Sequence, residues 1–150
     1  MKQTLSQVKA LREISAIRSL QTSAAEADAA RAAKAADERR REHAAALSQQ
    51  EALDAGWREG LSGASLRLET SILWSRAASA HQAKVALAEQ QSELADDRAR
   101  QLLTELYAAR RRQEDVEEKA VDAERRWVED REQVFIEALL DVCPLAKDGQ

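Results

Sequence analysis

The chain has 150 residues, of which 33% are charged and only 3% are aromatic, and it contains four glycines and one proline. Its 23 basic and 27 acidic residues leave a formal net charge of −4, without the basic excess that a general nucleic-acid-binding protein uses to neutralise phosphates. Much of the hydrophobic fraction is alanine, and with so little glycine and proline the composition is typical of long helices. It favours one all-α domain and excludes β-sandwiches, barrels, Rossmann-type sheets and disulfide-linked scaffolds.

Two long helices separated by one break are predicted. Residues 4–55 contain neither glycine nor proline, so we expect the first helix there. Glycines at positions 56, 60 and 63 place a break at about 56–64, because each glycine costs a helix about 1 kcal/mol relative to alanine. With Ser65 as a candidate N-cap, the second helix is expected at about 65–142, and Pro144 stops it within a frayed tail at 143–150. The predicted fold of residues 1–150 is therefore all-α: a single rod-like hairpin in which two long helices form an antiparallel coiled coil.

The spacing of apolar residues in the second helix predicts its seam against the first. One row repeats every seven residues up to Leu94 and another starts at Ala99, so we expect the register to slip once near Arg98. Polar residues interrupt both rows and alanines bury little area, so the seam is predicted to be only marginally stable. The first row is Leu66, Leu73, Ala80, Leu87 and Leu94; the second is Ala99, Leu106, Gln113, Ala120, Trp127 and Val134, accompanied by Leu102, Ala109, Val116, Ala123 and Asp130.

The apolar residues at the start of the first helix do not form one stripe. They are spaced by three, and three residues turn a helix by about 300°, so each falls about 60° behind the last and the set spreads around the circumference. Either the second helix wraps around these turns, or the turns are irregular, or they lie inside a protein sleeve that contacts all sides. The set consists of Leu5, Val8, Leu11, Ile14, Ile17 and Leu20.

A second apolar cluster ends the second helix. If the hairpin turns near residue 60, residue 5 lies opposite about residue 116, and the rest of the second helix extends beyond the first by about 35 Å. An exposed apolar extension is a binding surface or an aggregation hazard. The alternatives are that the first helix starts further along the hairpin or that the tail dimerises. The cluster consists of Val134, Phe135, Ile136, Leu139, Leu140 and Val142.

No catalytic, cofactor or metal site is predicted. His43 and His81 lack a second histidine or cysteine three or four residues away, the spacing of a helical metal pair. The glycines at 56–63 follow no predicted strand and carry no Lys-Ser/Thr end, so they do not form a phosphate-binding loop. The single cysteine, Cys143, and the lack of an apolar run long enough to span a bilayer favour a cytoplasmic protein.

Two further features leave alternatives open. The arginine clusters at 39–41 and 110–112 are flanked by acidic residues, so they could form a solvated face, bind an acidic partner or bind RNA. Trp57 and Trp74 bracket the predicted break, where they could pack on each other or anchor a partner.

The chain resembles the FliJ/YscO (SctO) proteins of flagellar and virulence type III secretion systems. The resemblance covers nearly the whole chain and is carried by the first helix without glycine or proline, the break at 56–63, the Ile72-Leu73-Trp74 start of the second helix, His81 about two turns later, and the Arg/Glu-rich sequence that follows. Family members are small, charged, antiparallel coiled-coil hairpins of about this length. The first helix lacks the tyrosine that flagellar members often have near the tip, which favours the virulence branch.

This resemblance implies a non-enzymatic stalk at the cytoplasmic face of a membrane-embedded secretion apparatus, with no cofactor, nucleic acid or direct membrane insertion. In the family, the end with the paired termini enters the pore of the hexameric secretion ATPase, and the rest reaches the export gate and recycles secretion chaperones. The implied ATPase-binding residues are Leu5, Val8, Leu11, Ile14, Ile17, Leu20, Val134, Phe135 and Leu139. The implied export-gate residues are Trp57, Leu73, Trp74, Ala77 and His81.

Two other functions compete with the stalk. One is a self-associating structural coiled coil, against which the slipped heptads argue because oligomer seams are normally better specified. We therefore expect a monomer in isolation. The other is a holdase-type chaperone that would protect client proteins without any ATPase partner.

Overall fold

Two long helices make up the structure, a computed structural model that describes residues 4–62 and 67–143. Helix α1 runs over Leu5–Ser62 and helix α2 over Leu68–Val142, and no strand occurs in the two described ranges. The helices pack against each other through side chains of both, which confirms the predicted all-α helical hairpin.

Helix α1 begins with a reciprocal cap. The Thr4 amide donates to Oε1 of Gln7 at 3.0 Å, and the Gln7 amide donates to Oγ1 of Thr4 at 3.3 Å. This capping box satisfies amides that have no partner within the helix. The Thr-x-x-Gln spacing at residues 4–7 is a signal that sequence analysis could have used to place the start of α1.

The predicted break at 56–64 starts too early. Helix α1 continues through Gly56 and Gly60 and ends at Ser62, whose hydroxyl donates to the Glu59 carbonyl at 2.8 Å. The low helix propensity of glycine is a weak preference that tertiary contacts override, and at Gly56 such a contact comes from the Trp74 ring. Gly63, the Ser65 cap, Leu66 and the tail beyond Cys143 lie outside the described residues.

Contacts along the chain divide it into two units. Unit 1 comprises Met1–Glu26 and Glu105–Gln150, and unit 2 comprises Ala27–Thr104. Each unit pairs a segment of α1 with an antiparallel segment of α2, and each is described by itself.

Both helices carry a row of buried and half-buried positions spaced alternately by three and four residues, apart from an interval of seven between Ala36 and His43, and this is the spacing of a coiled-coil seam. In α2 this alternation continues from Ser71 to Asp130 without a shift, so the predicted slip near Arg98 is wrong. On α1 the seam contains Val8, Leu11, Ser15, Arg18, Thr22, Ala25, Ala29, Ala32, Ala36, His43, Ala46, Gln50, Leu53 and Trp57. On α2 it contains Ser71, Trp74, Ala78, His81, Val85, Ala88, Ser92, Ala95, Ala99, Leu102, Leu106, Ala109, Gln113, Val116, Ala120, Ala123, Trp127 and Asp130.

The structure confirms one predicted row of α2 and rejects the other. The positions predicted from Ala99 to Asp130 lie in the seam, whereas Val134 is exposed. In the earlier row, Leu73, Leu87 and Leu94 face solvent with 65%, 54% and 61% of their surface exposed, and Ala80 is exposed too. The rejected row is the more hydrophobic one, but following it would require a change of register between residues 94 and 99, which over- or underwinds a coiled coil.

Small side chains fill most of the seam. The buried apolar residues are Val8, Ala29, Ala36, Ala46, Leu106, Ala120 and Ala123. Among the described residues, Thr22 and Ser92 are polar and buried, and the Thr22 hydroxyl donates to the Arg18 carbonyl one turn earlier at 2.9 Å. Alanines let two helices approach closely, but each contributes little buried area, so the hydrophobic stabilisation per turn is small.

Ion pairs beside the seam fix which residues lie opposite each other. Arg12 pairs with Glu124 and Glu26 with Arg110 in unit 1, and Arg40 pairs with Asp96 in unit 2. Within unit 1, a fourteen-residue slip in one direction would bring Arg12 to Arg110, and a slip in the other direction would bring Glu26 to Glu124. Because like charges repel, these exposed pairs disfavour a slip of fourteen residues, although exposed ion pairs contribute little to stability.

The ion pair of unit 2 predicts how Asp96 titrates. Nε and Nη2 of Arg40 donate to the same oxygen, Asp96 Oδ1, at 2.9 and 2.7 Å, and these hydrogen bonds hold the pKa of Asp96 below its ordinary value. Because the carboxylate is favoured in the folded state, its stabilising contribution is complete above the unfolded aspartate pKa of about 3.9 and is lost as the pH falls through the lower folded value. In an NMR titration we expect Arg40→Gln to raise the pKa of Asp96 towards the ordinary value.

Arg39→Gln is the matched control for this titration, because Arg39 donates to Glu42 and Gln91 and not to Asp96. It should leave the Asp96 titration unchanged. An unaltered Asp96 pKa in Arg40→Gln would contradict the pairing.

Candidate functional site

The candidate site is a set of exposed apolar surfaces. Among the described residues, no three His, Cys, Asp or Glu side chains gather where they could hold a metal ion. Cys143 is exposed. Over the same ranges, neither helix contains a segment with the length and apolar character needed to cross a bilayer.

In unit 1 the apolar residues of α1 turn progressively away from α2. The exposed fraction of the side chain rises from 5% at Val8 to 43% at Ile14, 54% at Ile17 and 72% at Leu20, while Leu11 is half-buried. This gradient follows from the three-residue spacing, which lags behind a seam that repeats every 3.5 residues. Leu5 is also exposed. Because α1 is a continuous helix from Leu5, irregular turns do not explain the pattern.

The end of α2 forms an extension that α1 does not cover. Every residue from 131 to 143 is exposed, including Val134, Phe135 and Leu139. The predicted length of the extension is wrong: Arg12 pairs with Glu124, so Leu5 is level with about residue 131 rather than 116, and the extension measures about 18 Å rather than 35 Å. The reason is that the two members of each contacting pair have residue numbers whose midpoint is about 66–68, whereas the prediction assumed a midpoint of 60.

A further apolar row on α2 leads into this extension. Val121, Val128, Phe135 and Val142 are all exposed and are spaced by seven residues, so they follow one line along the helix. Beside this line, Arg131 lies over the Trp127 ring at 5.1 Å from its centroid. A shallow cavity of about 340 Å³ is lined by Trp127, Val128, Arg131, Glu132 and Phe135. Sequence analysis missed Val121, although its spacing to Val128 and Phe135 was available.

In unit 2 the two tryptophans pack on each other. The rings of Trp57 and Trp74 are 6.0 Å apart between centroids and are tilted by 47°. The Trp74 ring also covers Gly56, where an added Cβ would lie 3.0 Å from ring atom Cη2. Both rings are half-buried and line a cavity of about 200 Å³ with Leu53, Asp54, Ser75 and Ala78. Of the two readings of these tryptophans, mutual packing is the one observed.

The structure divides the export-gate residues of the sequence analysis into two groups. Trp57, Trp74 and His81 lie in the seam, and the buried Nε2 of His81 has no hydrogen-bond partner. Leu73 and Ala77 lie outside the seam and are exposed. The ATPase-binding set is divided in the same way: Val8 and Leu11 belong to the seam, and its other members are exposed.

Three arginines of the two clusters bond to acidic or amide groups of the hairpin itself: Arg39, Arg40 and Arg110. Arg39 donates to Glu42 at 2.8 Å and to Gln91 at 3.0 Å. Arg40 pairs with Asp37 and Asp96, and Arg110 with Glu26. These contacts are those of a solvated, salt-bridged face, one of the three alternatives that the sequence leaves open.

The chain matches no known protein-family model, no curated protein and no solved structure.

The two helical glycines of α1 provide a test of the tryptophan packing. Gly60→Ala should stabilise the protein by about 0.5–1 kcal/mol, because alanine is the better helix former and no atom lies within 4 Å of the added methyl. Gly56→Ala should give a smaller gain or a loss, because its methyl would displace the Trp74 ring. Urea unfolding followed by circular dichroism measures both effects.

Tryptophan fluorescence supplies an independent measure of the same packing. Its emission should change in Gly56→Ala and not in Gly60→Ala. Equal stabilisation by the two alanines, with unchanged emission, would show that Trp74 does not pack against Gly56.

Proposed function

We propose that this chain is a non-enzymatic stalk of a type III secretion export apparatus. In this proposal, unit 1 inserts into the pore of the hexameric secretion ATPase, and the chain links that ring to the export gate and to secretion chaperones at the cytoplasmic face of the membrane. The observation that carries the proposal is the distribution of exposed apolar side chains in unit 1. They turn around α1 and continue along the extension of α2.

A surface of this kind needs a partner that surrounds it. A flat protein surface or a single added helix would cover one side of α1, whereas Ile14, Ile17 and Leu20 point in directions about 60° apart. An apolar helix face that is not buried inside its own protein normally lies in an interface. The pore of a ring contacts an inserted helix from all sides. Such a pore could therefore cover the exposed apolar residues of α1 and those of the α2 extension together.

The proposed stalk acts through unequal contacts with the ring subunits. The exposed residues of unit 1 are not arranged with any rotational symmetry: α1 contributes a turning series, and α2 contributes the straight row from Val121 to Val142. Each subunit of a ring would therefore meet a different surface. A ligand shifts a conformational equilibrium only by its different affinity for the alternative states, and such asymmetric contacts supply that difference to a hydrolysing ring.

The export-gate surface is the less defined part of the proposal. Leu73 and Ala77 are the two gate residues that unit 2 exposes, so they are the ones able to meet a partner directly. Trp57, Trp74 and His81 would act by holding the end of the hairpin together. We assign the chain to the virulence branch on the missing tyrosine alone.

Replacing exposed residues of α1 tests the stalk. We expect the double variant Ile14→Asp/Ile17→Asp to lose the stimulation of ATP hydrolysis that the wild-type chain gives the secretion ATPase of the same organism. Both side chains are exposed, so the substitution removes an apolar contact with little effect on the seam. Steady-state ATPase rates at increasing chain concentration measure the loss, and circular dichroism checks that helicity is retained.

Leu103→Asp is the control for this assay, because Leu103 is as exposed as Ile14 but belongs to unit 2 and has Arg100 and Arg40 beside it. It should retain stimulation. Phe135→Asp/Leu139→Asp should lose it, because these residues form the α2 part of the proposed ring contact. Stimulation that persists in both double variants, or that the wild-type chain never gives, would refute the proposal.

A further inference from the structure

Unit 2 carries a coiled-coil row that has no partner in the hairpin. Ala80, Leu87 and Leu94 are spaced by seven residues and lie on the solvent side of α2, with Leu73 in line before them. A leucine row with this period is the pattern by which one helix packs along another. The sequence predicts a monomer because its heptads are slipped and weakly specified, but the structure leaves this leucine row outside the seam.

A groove lies beside the centre of the row. It has a volume of about 370 Å³ and runs between α1 and α2 along Leu87. Its apolar lining is Ala45, Ala46, Leu87 and Ala88. The two ends differ: one has Glu42 and Gln91, and at the other Lys84 Nζ donates to Oε1 of Gln49 at 3.2 Å.

The row is complementary to itself when it is inverted. If a second copy lies antiparallel with Leu87 on the two-fold axis, the two Leu87 side chains meet. The small Ala80 then lies level with the large Leu94 of the second copy, and Leu94 lies level with its Ala80. This gives three apolar layers. Each outer layer pairs one leucine with one alanine, so the volume of two leucines does not have to fit there.

The charges beside the row match in the same alignment. On one side of the row, Arg76 comes within one residue of the level of Asp97 of the second copy, and this occurs twice by symmetry. Arg76 is exposed and has no ion pair in the described structure, and Asp97 pairs only with Arg100 of its own helix. On the other side, Lys84 of the second copy approaches the end of the groove that holds Glu42 and Gln91.

The neighbouring alignments lack this match. With the axis moved towards Ala80 by half a heptad, Lys84 meets Lys84 of the second copy and Glu69 approaches its Asp97, so like charges face each other. With the axis on Ala80 itself, Arg76 lies beside Ala83 of the second copy on the same side of the row, so it gains no oppositely charged partner. Repulsion in the first of these registers, and the missing opposite-charge pair in the second, favour the alignment on Leu87.

We propose that unit 2 binds a second copy of this chain in antiparallel orientation, through Ala80, Leu87 and Leu94, with Leu87 on the two-fold axis. The interface is isologous, because the same patch serves both copies. The proposal is independent of the stalk function, and it leaves the exposed residues of unit 1 outside the interface.

Charge reversal tests both the partner and the orientation. By sedimentation equilibrium, the wild-type mass should rise with concentration from that of one chain towards that of two. Arg76→Glu alone sets two carboxylates against each other in every cross-pair, and Asp97→Arg alone sets two guanidinium groups against each other. Each substitution should therefore raise the dimer Kd by about tenfold or more.

Mixing the two charge-reversal variants is the matched rescue. In a dimer of one Arg76→Glu chain and one Asp97→Arg chain, one cross-pair joins the new glutamate of the first chain to the new arginine of the second. The other cross-pair keeps the original Arg76 and Asp97. An equimolar mixture should therefore regain the wild-type Kd, because every cross-pair is then of opposite charge.

Cysteine crosslinking locates the axis. In a Cys143→Ser background, Leu87→Cys should form a disulfide-linked dimer on mild oxidation, because a residue on the two-fold axis meets its own copy. Leu73→Cys should not, since it lies away from the axis. Leu87→Glu should abolish the dimer, and Leu103→Glu, an exposed leucine elsewhere in unit 2, should preserve it.

The remaining outcomes overturn the proposal. A wild-type chain that stays monomeric throughout the concentration series refutes the interface. A dimer that survives Leu87→Glu, or variants that do not recover on mixing, assigns self-association to another surface. Crosslinking at position 73 but not at 87 refutes the alignment.

Discussion

The close approach of two helices through a seam of small side chains is the constraint on which the structure depends. Ala29, Ala36, Ala46, Ala120 and Ala123 are buried, whereas most leucines and isoleucines are exposed. A seam this narrow has little room for large side chains, and a well-packed seam does not tolerate inserted volume. The large apolar residues are therefore displaced to the outside, where they form the surfaces available to other molecules.

Register determines where those surfaces lie. The ion pairs at Arg12, Glu26 and Arg40 and the contact between Trp57 and Trp74 all align the helices around residues 66–68. A shift of one heptad would change how much of α2 extends past Leu5 and would expose different ends of the leucine row. Individually the exposed ion pairs are weak. In unit 1 their alternating sign opposes a slip of fourteen residues, which would bring like charges together.

Two of the exposed apolar surfaces, the α1 series of unit 1 and the leucine row of unit 2, differ in geometry, and the difference bears on function. In unit 1 the residues of α1 are spaced by three and turn around the helix, so no single partner helix covers them. In unit 2 the residues of α2 are spaced by seven and stay on one line. A turning series fits a partner that encloses it, and a straight row fits another helix lying alongside. We therefore propose an enclosing ring for the first surface and a second copy of the chain for the second.

The sequence by itself determined the helical hairpin, because a chain poor in glycine, proline and aromatic residues has little alternative to long helices. It also determined the seam from Ala99 to Asp130, where Leu102, Leu106 and Val116 make the buried row the most apolar one. In the first half of α2, only the tertiary structure decided which row faces α1. There the buried row contains Ser71, His81 and Ser92, and the leucines that look like a seam lie outside. The reason is physical. A row is buried when it fits the partner helix and keeps one unbroken register along the chain, and the hydrophobic pattern of a single helix gives no information on either condition.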